Sequence, residues 1–377
     1  MLPELSFLHG KPQSTGLLRQ QKSDFKVFEQ LPFLPCGEGE HLFIHIRKIG
    51  ANTVFVAREL AKYFKVKEQL VSYAGLKDRF AVTEQWFGVH VPGKQEYDLK
   101  DLSIEGVEIL SYKRHNKKLR TGALTGNRFE LILREITDLK ALNQRWENIV
   151  REGVPNYFGE QRFGIDGGNI DCALSLFSGT KVKDKKKRGM YLSAARSCIF
   201  NDIINERIKT NTFSTVQVGD VVMLSGTQSV FHLDESDDTI QQRLIDKDVD
   251  ITAAMWGSGN LMTSAEPQIF EQQIADKHTE FSQGLPRFGL KQERRRIRLV
   301  ITDADIEVMS NEAMSNKTAT FEPSISNTLP AVKVSFTLAA GSYATTVLRE
   351  LIDYKDCTQR VNVKASSDIE KITEQGK

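Results

Sequence analysis

Alternation of apolar and polar residues is the first regularity in this chain. Asp24-Phe25-Lys26-Val27-Phe28-Glu29 alternates and predicts a strand with Phe25 and Val27 on one face. On this pattern alone Phe25 is ordinary core. Pro32, Pro35, Gly37 and Gly39 mark a loop, and His41 to Ile46 is extended again. The period then changes. Val56, Leu60, Tyr63 and Phe64 fall at i, i+4, i+7 and i+8, which predicts a helix capped by Asn52 or Thr53. Leu70 to Tyr73 and Gln85 to Val91 read as two strands of a hairpin. Gly75 between them permits a tight turn, with Lys77, Asp78 and Arg79 together at its tip.

The rest of the chain mixes the two periods in no steady order. A strand begins near Phe129, a helix runs from about Leu139 to Val150, and Gly153-Val154-Pro155 marks a domain boundary. Residues 190–208 are helical in pattern, 212–232 β-like with turns at Asp220 and Gly226, and 267–283 helical. Lys333 to Leu338 is a strand, Ala340-Gly341-Ser342 a turn, and Tyr343 to Ile352 a helix capped by Ser342. That helix start fits a phosphate site or an ordinary connection equally well. Without regular βαβα alternation, the fold class is α+β with a mixed, mainly antiparallel sheet. A dinucleotide fingerprint is also missing, since Gly257-Ser258-Gly259-Asn260-Leu261-Met262 lacks the third glycine. The polar stretch 309–329 reads as an exposed excursion, and the tail after about Val363 as loose.

Composition narrows the classes. At 377 residues, 40% hydrophobic and 27% charged, the chain is sized for two globular domains. Its net charge of +2 is not that of a wholesale polycation, so nucleic-acid contact has to come from local clusters. Three runs qualify: 113–120, 181–188 and 291–298. The acidic stretch 234–250 would face away from a bound nucleic acid. No signal peptide begins the chain and no apolar run approaches the roughly 20 residues of a membrane span, so a cytoplasmic location is expected. Cys36, Cys172, Cys198 and Cys357 are scattered and read as reduced thiols. His41 and His45 on one strand lie roughly 13 Å apart, too far to share an ion, so no metal site is assigned.

Two stretches carry candidate chemistry. In the first, Asp78 lies between Lys77 and Arg79, and neighbouring cations favour an ionised carboxylate. The same spacing fits a solvated hairpin tip. In the second, Lys113-Arg114-His115-Asn116-Lys117-Lys118-Leu119-Arg120 runs into Gly122, Gly126, Asn127 and Phe129. A basic loop beside an exposed aromatic can grip a phosphate backbone and stack a base. A solvated loop with Phe129 in the core is the other reading. Arg196, opposite the apolar stripe of its helix, reaches an RNA backbone or only solvent.

Five separated blocks then occur in order: Gly75-x-Lys77-Asp78-x-x-Ala81-x-Thr83-x-Gln85, Gly126-Asn127-x-Phe129, Pro155-Asn156-Tyr157-Phe158-Gly159-x-Gln161-Arg162-Phe163-Gly164, Ala194-Ala195-Arg196-Ser197 and Ala340-Gly341-Ser342. Together they closely resemble the TruD family of tRNA pseudouridine synthases, over about Phe7 to Ile352. The resemblance implies isomerisation of uridine 13 of tRNA without metal or organic cofactor. It also implies a discontinuous pseudouridine-synthase domain, 1–154 and 294–377, interrupted by an inserted α+β TRUD domain, 155–293. A cleft between the two is expected to take the tRNA. Asp78 falls at the family's essential aspartate. Phe25, Asn127 and Phe336 match positions lining the target nucleotide, and Phe129 matches the aromatic that stacks on uracil. Arg19 stands where close relatives carry a lysine, with the same charge and different geometry. Lys77, Arg79, Lys117, Lys118, Arg120, Arg162 and Arg196 are the candidates for RNA-backbone contact. The excursion 309–329 is longer than the family leads one to expect and is read as a surface insertion away from the site.

The implied reaction breaks the N1–C1′ bond, turns the uracil and joins C5 to C1′. Positive charge develops at the sugar, so a carboxylate against C1′ is a natural catalyst. Two routes stay open for Asp78: addition to C1′ or removal of the C2′ proton. A nearby cation, Arg19, Lys77 or Arg79, would support its ionised form. The partner is tRNA, with no membrane and no obligate protein partner, and the chain is expected to be a monomer. The rival readings are a catalytically silent tRNA-binding protein or RNA chaperone, and a uracil glycosylase.

Overall fold

The computed structural model describes residues 4–93, 95–235, 237–309 and 329–358. The chain starts with strands β1 (Thr15–Leu18), β2 (Phe25–Gln30) and β3 (His41–Ile49), then helix α1 (Thr53–Tyr63). Strands β4 (Val71–Tyr73), β5 (Val82–His90), β6 (Val107–His115) and β7 (Gly126–Arg134) follow, and then α2 (Leu139–Glu152). The middle holds β8 (Val154–Pro155), α3 (Gly168–Phe177), α4 (Lys185–Lys209), β9 (Val221–Leu224), β10 (Val230–His232), α5 (Asp238–Ile245) and β11 (Val249–Met255). After these come α6 (Ala265–Lys277), α7 (Thr279–Arg287), β12 (Glu293–Arg296) and β13 (Arg298–Leu299). The last elements are β14 (Thr302–Met309), β15 (Ala331–Ala339), α8 (Ala344–Leu351) and β16 (Asp353–Asp356).

Two compact units result, one of 12–147, 301–344 and 351 onward, the other of 4–11, 148–300 and 345–350. The first is built on one sheet in the order β14-β15-β7-β2-β5-β3-β6, with β1, β16 and β4 joined to its side. Pairing is antiparallel except for β2 with β5 and β1 with β16. The fold is thus α+β with a mixed, mainly antiparallel sheet. Alternation decides which face is covered. Leu42, Ile44 and Ile46 of β3 and Phe87 and Val89 of β5 pack under Val56, Ala57 and Leu60 of α1. Asn52 caps α1 by accepting from the Phe55 N–H, and Tyr63 is partly exposed.

The second unit is organised on α4, which packs against α3, α6, α7 and β11. Its small sheet runs β10-β9-β11-β12. The basic run 181–188 enters α4 itself: Asp184 caps the helix by accepting from the Lys186 and Lys187 N–H groups. The expected single helix over 267–283 is two, broken at His278, whose ring meets Asp202 at 2.6 Å. Part of the acid-rich stretch and of the run 291–298 is spent internally, in the pairs Asp250–Arg296 and Glu271–Arg294. Residues 4–11 belong to this unit through Ser6, whose N–H donates to Asn205, and Phe7, which lies under Arg349. The expected insertion 155–293 falls wholly within the 148–300 segment. The excursion 309–329, beyond its flanking Met309 and Leu329, and the tail after Val363 lie outside the described residues.

Candidate active site

Strand register places the candidate residues in two rows across one face of the large sheet. One row reads Phe336 (β15), Phe129 (β7), Val27 (β2), Thr83 (β5) and Lys48 (β3). Beside it Leu338, Asn127 and Glu29 are in register, for Glu29 continues the alternation of Phe25 and Val27, and Gln85 is in register with Ile46. Residues 74–81 link β4 to β5 and carry Asp78.

Asp78 keeps its side chain 35% exposed, and its Oδ2 is 3.4 Å from Nη2 of Arg19. Its Oδ1 accepts from the Phe80 N–H at 3.0 Å, a local turn that orients the carboxylate. Arg19 is held on three sides. Its guanidinium lies 4.2 Å over the Phe25 ring, and Nη1 donates to Asp356 at 3.2 Å. The backbone of Arg19 is left-handed, φ 57°, which costs a side chain-bearing residue about 1–2 kcal/mol. Of the three cations considered for Asp78, the contact therefore falls to Arg19. Asp356 was not among the sequence candidates. It arrives through the parallel pairing of β1 with β16, which sets Leu18 beside it.

The turn at Gly75 is not tight. Eight positions, 74–81, separate the strands, and Gly75 is absent from the glycines with positive φ. Nor do the three charges share the tip. Lys77 turns inward, 8% exposed, and its Nζ donates at 2.8 Å to the fully buried Glu29. Arg79 is exposed, and its Nε donates to Gly50 O. The backbone is fastened at several points. Gln85 Nε2 donates to Gly75 O, the Lys77 N–H donates to Thr53 Oγ1, and the Gly122 N–H donates to Ala74 O. Lys48 Nζ donates to Lys77 O and Asp78 O.

The aromatic residues come together, but inside. Phe129 and Phe336 stack at 5.5 Å, Phe25 meets Phe129 edge-on at 6.3 Å, and Trp146 lies 6.0 Å from Phe336. Exposures are 4% for Phe25, 6% for Phe129 and 0% for Phe336, so of the two readings of the aromatic beside the basic loop the structure has the buried one. The cause is position: β7 is flanked by β2 and β15. Asn127 shares this face, and its Oδ1 is buried without a hydrogen-bond partner among the described residues.

The cations divide. Lys117, Lys118 and Arg120 are exposed on the 116–125 connection, as expected of backbone contacts. Lys77 is committed to Glu29, and Arg196, its side chain 11% exposed, bonds the surface carboxylate of Glu293 together with the carbonyls of Met255 and Lys291. Arg162 of the other unit donates to Ser193 and lies 5.0 Å from the Phe158 ring centre. Among the described residues, Cys198, Asp202 and His278 bring ligand-type atoms within 4.8 Å of one another. Burial pushes the Cys198 thiol up to about 12, and the Asp202 carboxylate beside it acts in the same direction. The cluster is read as a carboxylate–imidazole pair locking α4 to the α6–α7 junction.

The family model described as tRNA pseudouridine synthase D (TruD) matches residues 4–170 and 178–351. A relative from Colwellia psychrerythraea, named tRNA pseudouridine synthase D, is 72% identical over 97% of this chain and 98% of its own. One of the same name from Shewanella oneidensis is 44% identical over 94% and 90%. A crystal structure of a candidate tRNA pseudouridine synthase D (TruD) from Methanosarcina mazei aligns with a TM-score of 0.69, covering 93% of this chain and 96% of that one at 20% identity. That likeness concerns the fold.

Proposed function

The chain belongs to the TruD family, and on that footing we propose that it is a tRNA pseudouridine synthase acting on uridine 13 with Asp78 as the catalytic carboxylate. The observation that supports the role most directly is the loop: a partly exposed carboxylate, turned outward on a backbone fastened from below, with a buried arginine at its back. In this reading the sheet unit is the catalytic domain and 155–293 the inserted one. The protein works in the cytoplasm, where its tRNA is.

The carboxylate either adds to C1′ as the N1–C1′ electron pair leaves on uracil, or takes the C2′ proton in the same bond cleavage. On the first route C5 of the turned base displaces the Asp78 carboxylate from C1′, and on the second the C2′ proton returns from Asp78 as C5 joins C1′; in both, C5 then gives up its proton and the freed N1 takes one up. Arg19 would offset the charge of the carboxylate between steps. Leaving the tRNA stack costs the base a few kcal/mol. A contact with Phe129 would return about 1–3 kcal/mol, and the covered ring requires a side chain of the aromatic cluster to move first. The unpartnered Asn127 Oδ1 is an acceptor for a base N–H. Phe25 and Phe336 exclude water, which would otherwise give hydrolysis at C1′. Lys117, Lys118, Arg120 and Arg79 would meet phosphates.

Asp78→Asn tests the reading with tRNA as substrate and pseudouridine at position 13 as readout. A loss on the order of 10⁴-fold or more is expected. Retained activity in the variant overturns the role of Asp78. An inactive parent that still binds tRNA favours the silent binding protein, and release of free uracil favours a glycosylase.

A further inference from the structure

Lys48 follows Leu42, Ile44 and Ile46 on the buried face of β3, and it is fully buried. An ammonium in that position is costly unless each proton finds an acceptor. Its Nζ lies 2.9 Å from Ala51 O, 2.9 Å from Asp78 O and 3.3 Å from Lys77 O. Three donors thus meet three carbonyl oxygens. Two of these belong to the peptide groups on either side of the Asp78 Cα. Gripping both fixes the direction in which the Asp78 side chain leaves the backbone.

We propose that Lys48 is a positioning residue for the reaction above: its ammonium clamps the two peptide groups flanking Asp78 and so aims the carboxylate at the sugar. The inference rests on Asp78 being the catalytic group. An uncharged side chain of the same length would fill the space and leave carbonyls unmet. A neutral amine would keep only two donors for the three oxygens.

Geometry and titration then make one distinctive forecast. Burial pushes Lys48 down from 10.5 to about 8, with Asp78 opposing the shift and Lys77 adding to it. Thr83, uncharged, faces it from β5, and α1 has no acid in its first turn. Above about pH 8 the folded chain gives up a proton that the unfolded chain still holds, so this group adds stability as pH rises toward 10.5. The clamp weakens over the same range. Activity should fall where stability does not, which a purely structural lysine would not produce.

The test compares Lys48→Met, Lys48→Arg and the parent chain in pseudouridine formation on full-length tRNA, with melting temperatures alongside. Lys48→Met is expected to lose about 100-fold in kcat with KM for tRNA nearly unchanged. The parent should lose kcat above about pH 8 at undiminished melting temperature, and Lys48→Arg should lack that limb. A Lys48→Met enzyme near parental kcat, or a Lys48→Arg enzyme with the parental limb, overturns the proposal. Should Lys48→Met not fold, the arginine variant and the parental profile decide. A parent that makes no pseudouridine sinks the functional reading instead. Amide exchange at residues 77–80 still tests the clamp there: rates should rise above the intrinsic pH trend in the parent and not in Lys48→Arg.

Discussion

Two neighbouring loops of the sheet unit treat charge in opposite ways. The 74–81 loop carries Lys77, Asp78 and Arg79, and the 116–125 connection carries Lys117, Lys118 and Arg120. They touch, with the Gly122 N–H on Ala74 O at 2.7 Å and Leu119 packed against Ala74 and Phe43. In the first, backbone groups are fastened by Gln85, Thr53 and Lys48, and Lys77 is buried against Glu29. In the second, backbone bonds at Gly122 and Thr125 and the buried Leu119 hold the chain, while the side chains of Lys117, Lys118 and Arg120 are left exposed. Bond-breaking needs a reacting atom held to a fraction of an ångström. Phosphate contacts need only charge within reach, and long side chains in water supply it.

The sharpest way to break this contrast is Lys77→Met. It strands the buried Glu29 carboxylate and should cost about 3–5 kcal/mol, read from denaturant unfolding. Adding Glu29→Gln should restore most of that loss. An unchanged midpoint for Lys77→Met would mean that the first loop is no more fastened than the second. Replacing Lys117 and Lys118 together by Ala should leave kcat alone and reduce the slope of log affinity against log salt by about 2, near one for each lost phosphate contact. A fall in kcat would erase the division of labour. Gly122 has φ 82° and open space where a Cβ would lie, so Gly122→Ala should cost about 1–2 kcal/mol of backbone strain alone. Gly75→Ala meets only Lys77 Nζ, at 3.6 Å, and should cost less than about 0.5 kcal/mol. The opposite order would return the turn to Gly75.

Periodicity made most of the architecture legible: β2, β3, α1 and the β4–β5 pair sit where alternation and the i, i+4 spacing place them. It also placed Asp78 on a loop between strands. What it left open is depth. Phe129 lies beside a basic run in sequence, yet its strand has a neighbour on each side, and pairing buries the ring. Lys48 and Glu29 were overlooked because a charged residue at a strand end looks solvated. The signal was present, for each is the next alternate residue after an apolar series, Leu42-Ile44-Ile46 and Phe25-Val27. Asp356 left no such trace. It meets Arg19 across 337 positions of sequence, a contact that only the folded sheet brings about. The consumption of Arg196 is of the same kind, since its acceptors lie 59 to 97 positions away.

The pairing of β1 with β16 bears on how the protein is made. A ribosome delivers the chain from its first residue onward, and the groups that fasten the Asp78 loop, Glu29, Lys48, Thr53, Gln85 and Gly122, all emerge early and close together. β15, which covers one side of β7, and Asp356, the second acid on Arg19, emerge only after the whole 148–300 segment. The residues of the loop and of its fastenings thus all precede three strands of their own sheet, β14, β15 and β16, in chain order. Arg19 serves as the register of completion, for it holds both of its carboxylates only in a chain translated through β16.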